Sequence, residues 1–102
     1  MLKAALFSDG TKEYRIPEEP EWGEQVTIRF RTGAGDVDHV YAVVRDAVSR
    51  EEGRRLELKK KESIGRFDFY GTEILVGETP LRYDFEAVKG SEVCHYNRLG
   101  VL

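Results

Sequence analysis

Cysteine occurs once in the 102 residues, as Cys94, which excludes an internal disulfide and any zinc site built from several cysteines. Its default role is a packed or half-exposed thiol. Histidine occurs twice, at His39 and His95, with no spacing suited to a shared metal, and each reads as a surface or cross-strand residue. No apolar run approaches the roughly 18 residues of a membrane-spanning helix. The stretch Met1 to Phe7 is also too short for the apolar part of a signal peptide, so a cytoplasmic chain without a membrane partner is expected. Excess charge of one sign is missing too. With 16 basic and 19 acidic residues the net charge is −3, and the two signs are interspersed, so no broad positive field exists to draw in nucleic acid. Arg54-Arg55 and Lys59-Lys60-Lys61 form the one dense basic run. Leu56 and Leu58 alternate within it, which suggests the wet face of an edge strand.

Catalytic patterns are equally scarce. The serines lack a GxSxG elbow, and Cys94 and His95, as neighbours on a strand, point to opposite faces and cannot act as nucleophile and base. Gly33-Ala34-Gly35 is not followed by a helix, so these glycines serve a turn and not a phosphate cradle. Asp36 and Asp38 could offer oxygens to calcium, but an aspartate pair in a turn is ordinarily solvated, and no metal site or cofactor is predicted. With 19 acidic residues, two carboxylates close together say nothing about glycosidic catalysis, which needs a shaped cleft. No catalytic residue is assigned.

What the chain does have is alternation. The length fits one domain over 1–102 with a single core. Glu24 to Thr32 puts Val26, Ile28 and Phe30 on one face and Thr27, Arg29 and Arg31 on the other. A turn over Gly33 to Asp36 leads into Asp38 to Ala47, where Val40, Ala42 and Val44 oppose His39, Tyr41, Val43 and Arg45. Residues 54–62 give the edge strand. In Phe67 to Leu75, Phe67 and Phe69 are assigned inward and Asp68 and Tyr70 outward, with a bulge at Gly71 restoring parity to Ile74. Leu81 to Ala87 alternates without exception, Lys89-Gly90-Ser91 turns the chain, and Glu92 to Asn97 returns. With a short strand at Lys3 to Phe7, about seven strands result, which favours an all-β, immunoglobulin-like antiparallel sandwich. Pro17 to Pro20 reads as a stiff acidic loop.

Phe30, Phe67, Phe69, Tyr83 and Phe85 fall on the inward parity. Trp22, Tyr41, Tyr70 and Tyr96 sit on loops or the outward parity, where they could stack on a sugar ring or pack against another domain.

Three segments carry a resemblance. VTIRFRTGAGDVDHVYAVVRD (Val26 to Asp46), Phe67-Asp68-Phe69-Tyr70 and Leu81-Arg82-Tyr83-Asp84-Phe85 resemble, in order, segments of the family-34 carbohydrate-binding module. That module is the N-terminal domain of neopullulanases, cyclomaltodextrinases and maltogenic amylases. The resemblance spans nearly the whole chain. It departs at Ser49 to Glu62, where the family carries a tryptophan-containing loop and a Pro-Met step. It implies a non-catalytic accessory domain, excised from the N-terminus of an enzyme acting on α-1,4/α-1,6-glucans, whose nucleophile and acid lie in a separate barrel. It further implies binding of an α-glucan or cyclodextrin, for which the loop and outward aromatics Trp22, Tyr41 and Tyr70 are the candidates, or docking on the barrel of the same or a partner chain in a homodimer. The alternative is a protein-interaction or sensor sandwich unrelated to sugar.

Overall fold

The computed structural model describes residues 1–46, 54–76, 81–97 and 100–101. The most regular strand is β2 (Gln25–Gly33), in which Val26, Ile28, Phe30 and Thr32 are all fully buried, as the alternation requires. It lies between β1 (Arg15–Ile16) and β5 (Phe67–Leu75), antiparallel to both. β3 (His39–Asp46) buries Val40 and Ala42 and lies between β4 (Arg54–Ile64) and β6 (Leu81–Lys89). β6 turns at Gly90 into β7 (Glu92–Asn97), which pairs with β8 (Gly100–Val101). The order is β1-β2-β5-β4-β3-β6-β7-β8, antiparallel throughout.

The expected all-β, immunoglobulin-like sandwich is what forms, with no α-helix among the described residues. Its two layers close on each other through aromatic rings. Phe30 of β2 lies 4.7 Å, centroid to centroid, from Phe85 of β6 and 5.4 Å from Tyr96 of β7. Ile28, Ile74, Leu58, Ala87 and Cys94 fill the same core.

β4 joins the layers. Its first half, Arg54 to Leu58, pairs with β3, and its second half, Lys59 to Ile64, pairs with β5, with a register shift between Lys60 and Glu62. The strand expected at an edge therefore runs from one sheet to the other. Each half borders a sheet, which is why its basic side chains stay wet while Leu58 is buried.

The bulge is thus in β4 and not at Gly71, where β5 keeps unbroken register with β2. The parity of β5 is corrected with it: Asp68, Tyr70 and Ile74 face the core, while Phe67 and Phe69 face out. Alternation could not decide this, because both parities of Phe67 to Tyr70 carry an aromatic. The outward phenylalanines are covered by cations, with the Arg31 guanidinium 4.3 Å from the Phe67 centroid and that of Arg29 4.9 Å from Phe69. Near the N-terminus, Lys3 to Ala5 form a 3-10 turn in place of the expected strand, and only Phe7 bridges to β2, opposite Arg31. The stretch 47–53, read as a charged connection, lies outside the described residues, as do the side chains of Arg45 and Leu81.

Candidate functional site

The three aromatic candidates end up in three different environments. Tyr70 is 6 % exposed and belongs to the core, so the outward orientation read from its parity is corrected. Burial raises the pKa of its hydroxyl. Tyr96, also read as outward, packs edge-on against Phe30 and donates its hydroxyl to the Ser8 carbonyl at 3.1 Å.

Tyr41 does lie on the outer face of the β4-β3-β6 layer, half-buried. Its register partners are Glu57 and Glu86. The Arg55 guanidinium sits 3.8 Å from its ring centroid, held there by Glu86 at 3.3 Å, and His39 lies 5.9 Å away and bonds Glu57 at 2.8 Å. One π face of Tyr41 is therefore already occupied by a cation. Arg45, expected beside it, has no described side chain.

Trp22 is 71 % exposed, in a turn whose backbone is tied to the residue after β5 by Gly23 N–H to the Val76 carbonyl at 2.9 Å. Leu75 is the outward neighbour of Val76, and Ile16 projects from β1 on the same face, both exposed. These aliphatic side chains were not picked out from sequence. Ile16 lies in a two-residue strand, and Leu75 sits on the parity that the supposed bulge obscured.

The two turn aspartates have structural work. Asp36 accepts the Leu2 N–H at 2.6 Å, which holds its carboxyl below the usual range against the cost of burial, and Lys89 at 3.2 Å adds to this. Asp38 accepts the Gly90 N–H at 2.7 Å. Neither is gathered with other ligands, and among the described residues no group of three His, Cys, Asp or Glu side chains could hold a metal.

Sequence reasoning missed Asp68. It is 2 % exposed on the inner parity of β5, where its carboxylate accepts from Ser63 Oγ at 2.5 Å and the Gly35 N–H at 2.9 Å and pairs with Lys60 Nζ at 3.1 Å. It ties β4, β5 and the β2-β3 turn at one end of the sandwich. The Ser63 hydroxyl and the Gly35 N–H hold its pKa below the usual carboxylate range despite burial. An aspartate between two phenylalanines on an otherwise apolar strand was the available signal.

An immunoglobulin-like sandwich with Trp22 open in a turn and Tyr41 on an outer face, and with no metal-holding group gathered among the described residues, offers its surfaces for contact. Residues 1–102 match the family described as alpha amylase, N-terminal ig-like domain, and the chain belongs to that family. The fold is similar to that of a cyclomaltodextrinase of known structure, with a TM-score of 0.85 and 21 % identity over 100 % of this chain. The chain spans 17 % of that protein's length. No curated protein sequence matches it. No helix among the described residues is long and apolar enough to cross a membrane.

Proposed function

We propose that this chain is the accessory domain of a cytoplasmic, neopullulanase- or cyclomaltodextrinase-like α-glucan hydrolase and that it works through protein contact. In this reading it docks on the catalytic barrel of the same or a partner chain, shapes the active-site cleft, and contributes to a homodimer of the full-length enzyme. The observation that carries it is the fate of the stacking candidates. Tyr70 is inside and Tyr41 is capped by Arg55, whereas the Trp22 ring is left open, and Ile16 and Leu75 are exposed on the outer face of β1 and β5. Exposed aromatic and aliphatic side chains suit a protein contact, whereas a sugar site converges polar groups around its ring.

The same open ring supports the second reading, weak stacking of an α-glucan or cyclodextrin on Trp22. The experiment is a titration of the chain with β-cyclodextrin, following the single tryptophan's fluorescence. Silence up to millimolar sugar is the expected result, and a saturable change, matched by heat of binding in calorimetry that Trp22→Ala abolishes, would replace docking by glucan binding. Trp22→Ala itself should melt with the parent, within about 0.5 kcal/mol, because the ring makes no core contact. A larger loss of stability by thermal unfolding would place the ring in a packed site.

A further inference from the structure

Asp9-Gly10 is the single place in the chain where glycine follows an aspartate or an asparagine. Both residues are exposed, in the bend between the Phe7 bridge and β1. The backbone nitrogen of the residue after an aspartate can close on the side-chain carboxyl to form a five-membered imide, and glycine leaves that nitrogen least hindered. In this bend the carboxyl is held in place. Asp9 Oδ1 accepts the Thr11 N–H at 2.9 Å and the Thr11 hydroxyl at 2.6 Å, which folds the side chain back along the peptide of Gly10, the residue between them. The Gly10 N–H has no acceptor among the described residues, and Asp9 Oδ2 has no donor there.

We propose that Asp9-Gly10 is a site of covalent self-modification, at which the backbone rearranges to an isoaspartyl linkage. Gly10 N bonds to Asp9 Cγ, and the negative charge that develops on Oδ1 falls where the two Thr11 donors already point. Oδ2, protonated from solvent, takes the amide proton of Gly10 and leaves as water. A solvent water then adds to the main-chain carbonyl carbon of Asp9, whose bond to Gly10 N breaks. Gly10 N keeps its new bond to Cγ and regains a proton, and the carboxylate ends on the α-carbon. One water leaves and one enters, so no oxidant, reductant or partner is required. Asp36, Asp38 and Asp68 differ on both counts, because each is followed by a larger residue and turns its carboxyl to a distant N–H, of Leu2, Gly90 and Gly35.

The rearrangement inserts one methylene into the backbone between two anchors. On one side, Ser8 ties the two layers, its carbonyl accepting the Tyr96 hydroxyl of β7 and its own hydroxyl donating to the Arg29 carbonyl of β2. On the other side, the Thr11 carbonyl accepts the N–H groups of Tyr14 and Arg15. Between them Gly10 lies against the Arg15 guanidinium, where even a Cβ would come within 2.5 Å of Nη2. The lengthened bend is therefore pushed away from Arg15, and the ties at Ser8 loosen. This goes beyond the accessory reading and depends on no barrel and no sugar.

The test is to age the folded chain at physiological temperature and mildly acid pH in heavy-oxygen water, then digest it with trypsin in ordinary water. Cleavage after Lys3 and Lys12 isolates the peptide Ala4 to Lys12. That peptide should gain heavy oxygen and accept methyl groups from protein isoaspartate methyltransferase, and the peptides that carry the other aspartates should do neither. The folded chain is expected to convert about threefold faster than the free peptide of the same residues, since one aligned hydrogen bond is worth about that factor. Thr11→Val should remove the advantage and Thr11→Ser, which keeps the hydroxyl, should retain it. Thermal melts check that both variants are folded, and the converted chain should melt below the parent. A free peptide that converts faster than the folded chain, or a Thr11→Val variant as fast as the parent, would overturn the proposal. Neither outcome touches the cyclodextrin titration, so the two readings fail separately.

Discussion

Phe85→Ala should destabilise the chain by about 3–5 kcal/mol, the loss usual for deleting a buried aromatic ring. Phe85 is almost fully buried, 4.7 Å from Phe30 and 5.5 Å from Tyr83 by ring centroids, so its removal opens the contact that holds the two layers together. Against a total stability of about 5–15 kcal/mol for a domain of this size, a loss that large leaves little folded protein at physiological temperature. Urea unfolding followed by far-ultraviolet circular dichroism measures it. A midpoint close to the parent's would mean that Phe85 does not bridge the layers.

Asp68→Ala should cost about 2–3 kcal/mol, because it leaves the Gly35 N–H and the Ser63 hydroxyl without their charged acceptor. Lys60 is exposed and regains water, so its share is small. The pH dependence has a definite sign. The folded-state pKa of Asp68 is lowered, first by Ser63 and then by Gly35, relative to an unfolded value near 3.9. Its contribution is therefore present above that unfolded value and is lost as pH falls through the lower folded one. Asp36, lowered chiefly by the Leu2 N–H, adds to the same acid window. Melting temperatures of the parent should drop steeply below about pH 4, and Asp68→Asn should flatten that drop. Parallel curves for parent and variant would show that Asp68 does not titrate with unfolding.

Asp68 also marks where sequence reading stopped. Its position between Phe67 and Phe69 made it look like the wet face of a strand, since a lone carboxylate is seldom buried without partners. Those partners come from the β2-β3 turn and from β4, which approach it only in the fold. Tyr70 was misplaced by the same ambiguity. Once two aromatics alternate with an aspartate and a tyrosine, hydrophobicity no longer distinguishes the faces, and the unbroken pairing of β5 with β2 settles the matter. Tyr41 was placed on the correct face, but its capping by Arg55 depends on the pairing of β3 with β4 and could not be read from either strand alone.

Alternation along the chain is enough to show that it is all-β, that Val26, Ile28 and Phe30, Val40 and Ala42, and Phe85 and Ala87 face one core, and where the hairpin at Gly90 turns. These follow from a period of two, which a strand with one dry face imposes on its own residues. The pairing of strands in the fold, and not their alternation, sets that β4 passes from one sheet to the other, that the bulge lies at Lys61, that Lys3 to Ala5 coil, and that Ile16 and Leu75 share one outer face. The reason is that alternation fixes which residues on one strand share a face. It carries nothing about which strands become neighbours, and surfaces are made by neighbours.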